Sequence, residues 1–168
     1  MHSLKSFFKE SLNGTQKLVI LGAGSCLKAD DAAGVEIAER LIKEYSENCS
    51  DRLRVYSGST APENYSGAIK SFGADHLIII DAADFGEAPG EVSAIDPEVI
   101  AGISFSTHML PLKIFIQYLL KETGCKVTVI GVQPQNLSLD SPMSPPVKKA
   151  VSQLLKALKE SLSEAGLL

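Results

Sequence analysis

Four consecutive aliphatic residues, Leu77-Ile78-Ile79-Ile80, lead directly into a carboxylate, Asp81. A short run that is apolar at every position is typical of a strand buried on both faces, as the strands of a parallel sheet are. The run from Lys17 to Leu21 is apolar after its first residue and ends at Gly22. Two such runs predict a parallel sheet with helices covering both faces.

Helical and extended patterns alternate along the rest of the chain. Residues 91–95 alternate between polar and apolar side chains, which predicts an edge strand, antiparallel to its neighbours. A helical turn is expected to begin at Asp96-Pro97-Glu98. The order of elements predicts an α/β fold with a mostly parallel sheet. The other predicted strands are 53–56, 76–80 and 126–132, and the predicted helices are 31–48, 62–72, 109–123 and 145–164.

Composition indicates how many domains the chain forms and in which cellular environment the protein is expected. The chain has 168 residues, 45% hydrophobic and 21% charged, which predicts one folded domain over 1–168. Residues 3–12 predict a short amphipathic helix packed on that domain. A net charge of −4 argues against a nucleic-acid partner, and no apolar run approaches the roughly 20 residues of a membrane helix. The three cysteines suggest no disulfide framework, so reduced thiols and a cytoplasmic location are expected.

Candidate chemistry lies where the strands end, because ligands of open α/β sheets bind beyond the carboxyl ends of the strands. Asp31 follows the glycine loop after the first strand, Asp81 ends the third, and His108 precedes the helix at 109. Two carboxylates and one imidazole on converging segments would provide oxygen and nitrogen ligands for a metal ion at one site. Such a site suits a borderline divalent ion with positions left open for substrate or water.

Each of these residues alone also has a structural explanation. Asp30 and Asp31 are suited to cap the helix that follows them, and a histidine such as His108 commonly stands at the start of a helix. A carboxylate at Asp81 needs hydrogen-bond partners or water in either a structural or a functional role. Cys26 offers a nucleophile that His108 would serve, but a small buried cysteine is more usual, and nothing beside it indicates a lowered thiol pKa.

The glycine loop does not have the pattern of a dinucleotide site. Gly22 and Gly24 are present, but Leu27 occupies the position of the third glycine. No acidic residue closes the second strand, where a ribose contact is expected. A tight turn between strand and helix explains the same glycines.

Five segments follow one another in order over roughly residues 17–160: 21–35, 78–82, 89–91, 107–112 and 131–134. Each is short, but as an ordered set they resemble the hydrogenase maturation endopeptidases. Residues 59–64 and the Gly-x-Gln-Pro segment at 131–134 resemble the branch that serves formate-hydrogenlyase-type, energy-converting nickel–iron hydrogenases.

This resemblance implies a five-stranded, three-layer αβα sandwich and an aspartic-type endopeptidase. Such an enzyme removes the C-terminal extension of a hydrogenase large-subunit precursor after nickel insertion. The family's metal-contacting positions correspond to Asp31, Asp81 and His108, which become the expected catalytic and metal-binding residues. The resemblance implies that nickel comes with the precursor, bound to the precursor's own cysteines, and it implies no organic cofactor.

The chain departs from the family pattern at several positions. Gly24-Ser25 stands where Gly-Asn is common, and Ala29 and Ala32 stand where glycine is frequent. Many members have Asp-Gly-Gly where this chain has Ser57-Gly58-Ser59, so a catalytic duty of that aspartate does not carry over.

Two other functions fit the same residues. A non-catalytic nickel chaperone or binding module would use the same three ligands. A small-molecule hydrolase or nucleotide-binding protein of flavodoxin-like shape would share the fold, because fold alone does not determine function.

Overall fold

The computed structural model describes residues 4–47, 49–96, 104–105 and 109–168. The strands are β1 Leu18–Ala23, β2 Leu53–Ser59, β3 His76–Asp84, β4 Val92–Ile95, β5 Ser104–Phe105 and β6 Lys126–Val132. The helices are α1 Leu4–Ser11, α2 Ala33–Tyr45, α3 Ser66–Phe72, α4 Met109–Thr123 and α5 Pro145–Glu164. Two 3₁₀ turns, Ala29–Ala32 and Pro62–Tyr65, precede α2 and α3.

The strands form one sheet in the order β2-β1-β3-β6-β4. The first four are parallel and start level, since Leu18 pairs with both Leu53 and His76. Strand β4 runs antiparallel to β6 at the edge, and the two-residue β5 pairs antiparallel with the end of β3. The predicted α/β class, with about five strands and an antiparallel edge strand, is confirmed.

The two faces of the sheet pack against different helices. In β3, Ile78 and Ile80 lie in the core formed with α1, α2 and α5. Leu77 and Ile79 point the other way, into the core formed with α3 and α4. All four side chains are fully buried. The sheet is therefore the middle of three layers, which explains why β3 is apolar at consecutive positions rather than at every second one.

Several predicted boundaries differ from the structure, and two of them bear on the candidate residues. Strand β3 does not end at Ile80, because β6 and β5 continue to pair with its backbone as far as Asp84. Asp81 thus lies inside the strand, opposite Gly131, and not at its tip. Helix α2 begins two residues later than predicted, since Asp31 belongs to the preceding 3₁₀ turn. A helical turn is expected at residues 96–98, but residues 97 and 98 lie outside the described residues.

Helix α1 packs against α5 through the fully buried ring of Phe8. Lys5 on its outer side pairs with Glu164 of α5 at 2.7 Å. The packing of Phe8 joins α1 to the hydrophobic core that the sheet forms with α2 and α5. Across the ranges that the structure describes, none of the helices is both long and apolar enough to cross a membrane.

A buried histidine fastens the amino end of the sheet. His76 is 1% exposed, and its Nδ1 lies 3.1 Å from Thr15 Oγ1. Its Nε2 lies 2.8 Å from Thr128 Oγ1 on β6. Burial, together with the charge of Lys126, lowers the pKa of His76 to about 4. The ring is therefore neutral at pH 7 and links β3 to β6 and to the segment after α1.

Acidification should destabilise the protein through this histidine. Between pH 6.5 and 4 an unfolded histidine binds a proton that His76 in the folded protein does not, so the free energy of unfolding falls as the pH falls. The difference between the two pKa values corresponds to a loss of up to about 3 kcal/mol. His76→Gln keeps two hydrogen-bonding groups but cannot titrate. Urea unfolding at several pH values should show a smaller acid loss in the variant, and equal losses in both proteins would contradict the assignment.

Candidate functional site

Close backbone contacts bring helix α2 onto the carboxyl edge of the sheet. A Cβ on Gly34 would lie 2.0 Å from Ile80 O and 2.5 Å from Ala23 O. A Cβ on Gly22 would lie 2.1 Å from Gly34 O. The first turn of α2 thus touches the backbones of β1 and β3 directly, which no residue with a side chain at 34 allows. The 3₁₀ turn ahead of α2 consequently contacts β3.

Asp31 lies on that 3₁₀ turn and is fully buried. Its Oδ2 accepts a hydrogen bond of 3.1 Å from the backbone N–H of Ser25. Gly24 adopts a φ of +132°, and a Cβ there would lie 1.8 Å from Asp31 O. The glycine loop therefore wraps closely around this residue. Helix α2 has no side-chain cap at its first residue, so the interpretation of Asp31 as its cap is wrong.

Asp81 lies on β3 and is also fully buried. Side chains alternate along a strand, so Asp81 shares a face with Ile79 and Ala83, the face covered by α3 and α4. Because Gly22 pairs with Ile80, the end of β1 runs beside Asp81. The structure thus brings the elements that carry the two predicted carboxylates together at the carboxyl edge of the sheet.

The third predicted ligand, His108, lies outside the described residues. Helix α4, which follows it in the sequence, begins at Met109. Within the described part of the chain, no three histidine, cysteine, aspartate or glutamate residues cluster closely enough to hold a metal ion. The three-ligand set of Asp31, Asp81 and His108 stays a prediction.

Asp30 has a role that the sequence did not indicate. It is fully buried, and its Oδ2 accepts hydrogen bonds from the N–H groups of Gln135 and Asn136, both at 2.8 Å. The N–H of Ser144, the residue before α5, donates to Oδ1 at 2.6 Å, and the Ser144 hydroxyl lies 2.9 Å from Oδ2. Asp30 therefore clamps the loop between β6 and α5 to the 3₁₀ turn. The expectation that it caps α2 is wrong, because its partners lie more than 100 residues away.

Gln133 fastens a second loop at the same edge. Its Oε1 accepts hydrogen bonds from Phe85 N at 2.9 Å and Glu87 N at 3.3 Å. Its Nε2 donates to Asp84 Oδ1 at 3.1 Å. The loop after β3 is thus held to the end of β6. The Gly-x-Gln-Pro segment was a sequence signal for this residue, but it did not indicate what the side chain contacts.

Backbone strain is concentrated at this edge. Among the described residues, four that are not glycine have positive φ, and three of them lie here: Ala29 at 29°, Ser59 at 47° and Asp140 at 54°. Ser59 O accepts a hydrogen bond from Gly24 N at 2.9 Å, which ties the end of β2 to the glycine loop. Such conformations cost on the order of 1 kcal/mol or more each and cluster at functional sites. Ala29 therefore adopts a conformation for which the glycine common in the family is better suited.

Cys26 is exposed, contrary to the expectation of a small buried cysteine. Partial desolvation of its sulfur raises the pKa of the thiol, and the charges of Glu39, Glu36 and Asp31 raise it further. A nucleophilic cysteine needs a lowered pKa, so these surroundings argue against Cys26 as the nucleophile.

Asp30→Asn should destabilise the protein by about 2 kcal/mol. The amide nitrogen of asparagine would face backbone N–H donors in place of one carboxylate oxygen, and a buried donor left without an acceptor costs roughly 1–3 kcal/mol. Asp140→Asn is the matched control, since Asp140 is exposed and asparagine tolerates positive φ. Urea unfolding should show a lowered midpoint for Asp30→Asn alone. Equal midpoints for the two variants would mean that the carboxylate of Asp30 does not stabilise this edge of the sheet.

Comparison with known proteins identifies the family of this chain. Residues 35–161 match the model of a hydrogenase maturation protease family, HycI. A putative hydrogenase maturation protease of Methanocaldococcus jannaschii is 32% identical over 168 residues, which cover 98% of this chain and 99% of that protein. The hydrogenase 3 maturation protease of Escherichia coli K12 is 35% identical over 142 residues, covering 84% and 88% of the two chains.

Solved structures show the same relationship. The crystal structure of the nickel–iron hydrogenase maturation protease HycI from Thermococcus kodakarensis superposes with a TM-score of 0.84 at 34% identity, covering 94% of this chain and 99% of that one. The solution structure of the endopeptidase HycI from Escherichia coli gives a TM-score of 0.72 at 34% identity, covering 83% and 87%. This chain belongs to the hydrogenase maturation protease family.

Proposed function

We propose that this protein is an endopeptidase that removes the C-terminal extension of a nickel–iron hydrogenase large-subunit precursor after nickel insertion. Family membership supports the peptidase class. The observation that carries the site is the full burial of two carboxylates, Asp31 on the turn that contacts β3 and Asp81 within β3. Buried carboxylates are costly to maintain, and they are common where a protein uses them for binding or catalysis. The cytoplasm is the proposed location, because the three cysteines are free thiols.

In this proposal nickel is part of the substrate. The precursor presents the ion on its own cysteines, and Asp31, Asp81 and His108 complete its coordination. Carboxylate and imidazole groups suit a borderline divalent ion such as nickel. Cleavage then depends on correct loading of the precursor. Because Asp31 and Asp81 are fully buried in the free protein, binding of the precursor has to open a path to them.

Hydrolysis requires that a water oxygen add to the scissile carbonyl carbon, that the C–N bond break, and that a proton reach the leaving amine. In one route the precursor's nickel polarises the carbonyl or lowers the pKa of the water. In the other, the carboxylate of Asp31 or Asp81 takes the proton from the water and the metal only positions the chain. The first route makes the rate depend on the Lewis acidity of the bound metal, and the second does not.

Mass measurement of the precursor tests the function directly. Purified protein is mixed with nickel-loaded or nickel-free large-subunit precursor, and the mass of the precursor is followed with time. Loss of a C-terminal peptide from the loaded precursor alone supports a nickel-checking protease. A precursor that keeps its C-terminal extension, with nickel transferred between the two proteins, would instead support the chaperone.

Asp81→Asn should abolish most processing while preserving the fold. Asparagine matches the shape of aspartate but lacks the charge that a metal ligand or a general base needs. His108→Ala should lose activity to a similar degree. Asp84→Asn is the matched control, because Asp84 lies three residues further along β3 and is exposed. Thermal melts accompany the cleavage assay. A folded Asp81→Asn protein that processes loaded precursor at the normal rate would exclude Asp81 from the mechanism.

Nickel should bind the isolated protein only weakly. Three ligands leave half of the coordination sphere to be filled by the precursor, so affinity without precursor is expected to be modest. Titration calorimetry with nickel, followed by dialysis against a chelator, measures this. Stoichiometric nickel that survives the dialysis would contradict the proposal and favour the chaperone.

A further inference from the structure

An exposed turn at the amino end of the sheet joins α1 to β1. Thr15 N donates a hydrogen bond to Leu12 O at 3.1 Å, so Asn13 and Gly14 occupy the two central positions of a β-turn. Gly14 has a φ of +80°, which the third residue of a type II turn requires. Both central residues are exposed. The side chain of Asn13 and the peptide group that follows it are therefore open to water.

The fold does not occupy either of the two reactive groups in this turn. Within the part of the chain that the structure describes, the Gly14 N–H donates to no acceptor and the Asn13 amide makes no hydrogen bond. A Cβ on Gly14 would meet no atom within 4 Å, so the space beside this nitrogen is empty of protein. Asn13 also lines a surface cavity of about 310 Å³. The turn thus has room for a ring that includes both groups.

We propose that Asn13 is a site of spontaneous deamidation, at which the main-chain nitrogen of Gly14 attacks the side-chain amide carbon of Asn13. A bond forms between Gly14 N and Asn13 Cγ, the Cγ–Nδ2 bond breaks, and ammonia leaves with the proton that Gly14 N gives up. The product is a five-membered cyclic imide. Water then opens the imide. Cleavage of the bond from Gly14 N to Cγ gives aspartate, and cleavage of the bond to the main-chain carbonyl carbon gives isoaspartate.

The charges around the turn favour closure of the ring. The nitrogen of Gly14 attacks after it has lost its proton, and nearby positive charge favours the negatively charged form of a group. Lys9 and Arg52 line the same cavity as Asn13 and carry such charge. Glu164 lines the cavity too, but its carboxylate is paired with Lys5 at 2.7 Å. Deamidation should therefore become faster as the pH rises, because more of the nitrogen is deprotonated.

Isoaspartate at this position weakens the connection between α1 and the sheet. It moves a side-chain carbon into the main chain, which becomes longer between two anchored points. On one side, the ring of Phe8 is fully buried. On the other, Thr15 Oγ1 lies 3.1 Å from His76 Nδ1, and Thr15 O accepts a hydrogen bond from Arg52 at 2.9 Å. A turn of changed length no longer matches both sets of contacts, so conversion lowers the stability of the protein.

Storage of the purified protein in mildly acidic and mildly alkaline buffers, followed by peptide mass mapping, tests the site. Trypsin releases residues 10–17, in which Asn13 is the only asparagine. Asn64 and Asn136 are internal references, since neither precedes glycine and Asn136 Oδ1 accepts a hydrogen bond from Ser138 N at 2.9 Å. Asn13 should convert before both references, and faster in the alkaline buffer. An Asn13 that stays intact, or converts after either reference, would overturn the proposal.

Asn13→Gln is the matched control for the loss of stability. Glutamine keeps the amide, but its ring would have six members and closes more slowly. After storage in the alkaline buffer, thermal melts should show a lowered midpoint for the unsubstituted protein and an unchanged midpoint for the variant. Unchanged midpoints in both proteins, with Asn13 converted, would overturn the weakening of the α1 connection. An equal fall in both would overturn it too, because damage elsewhere would then explain the loss.

Discussion

The contact of Gly34 with the backbone oxygens of Ala23 and Ile80 fixes the arrangement of this edge of the protein. It allows the first turn of α2 to touch two neighbouring strands without an intervening side chain. The 3₁₀ turn that precedes α2 consequently lies against β3. Backbone packing thus places the turn that carries Asp31 against β3, the strand that carries Asp81.

The adjacent aspartates Asp30 and Asp31 have different hydrogen-bond partners. The carboxylate of Asp30 is saturated by donors from the loop after β6 and from Ser144, so it holds the edge together and has little capacity left for a substrate. Asp31 instead accepts a hydrogen bond from Ser25 N in the glycine loop. Removal of charge should therefore affect stability at one position and function at the next. A cluster of acidic residues in a sequence is for this reason a poor guide to which member is catalytic.

The sequence was sufficient wherever structure depends on local pattern. The periodicity of apolar residues predicted α4, β6 and α5 with the bounds that the structure has, and polar alternation predicted the antiparallel edge strand β4. It was insufficient where distant segments determine the outcome. The extension of β3 beyond Ile80 depends on pairing with β6 and β5, and the duty of Asp30 depends on donors from residues 135–144. No local signal encodes such contacts. The part of His108 in the site stays a prediction.

The two ends of the sheet differ in how they use polar groups. At the amino end, His76 is neutral and bonded through both ring nitrogens to threonine hydroxyls, an arrangement that contributes to stability at neutral pH. At the carboxyl end lie three buried aspartates, Asp30, Asp31 and Asp81, and three residues other than glycine with positive φ. Strained backbone and buried charged groups lower the stability of the folded protein unless surrounding contacts compensate for them. The hydrogen bonds of Asp30 and Gln133 supply such contacts, so they offset part of the energetic cost of burying charge and strain at this edge.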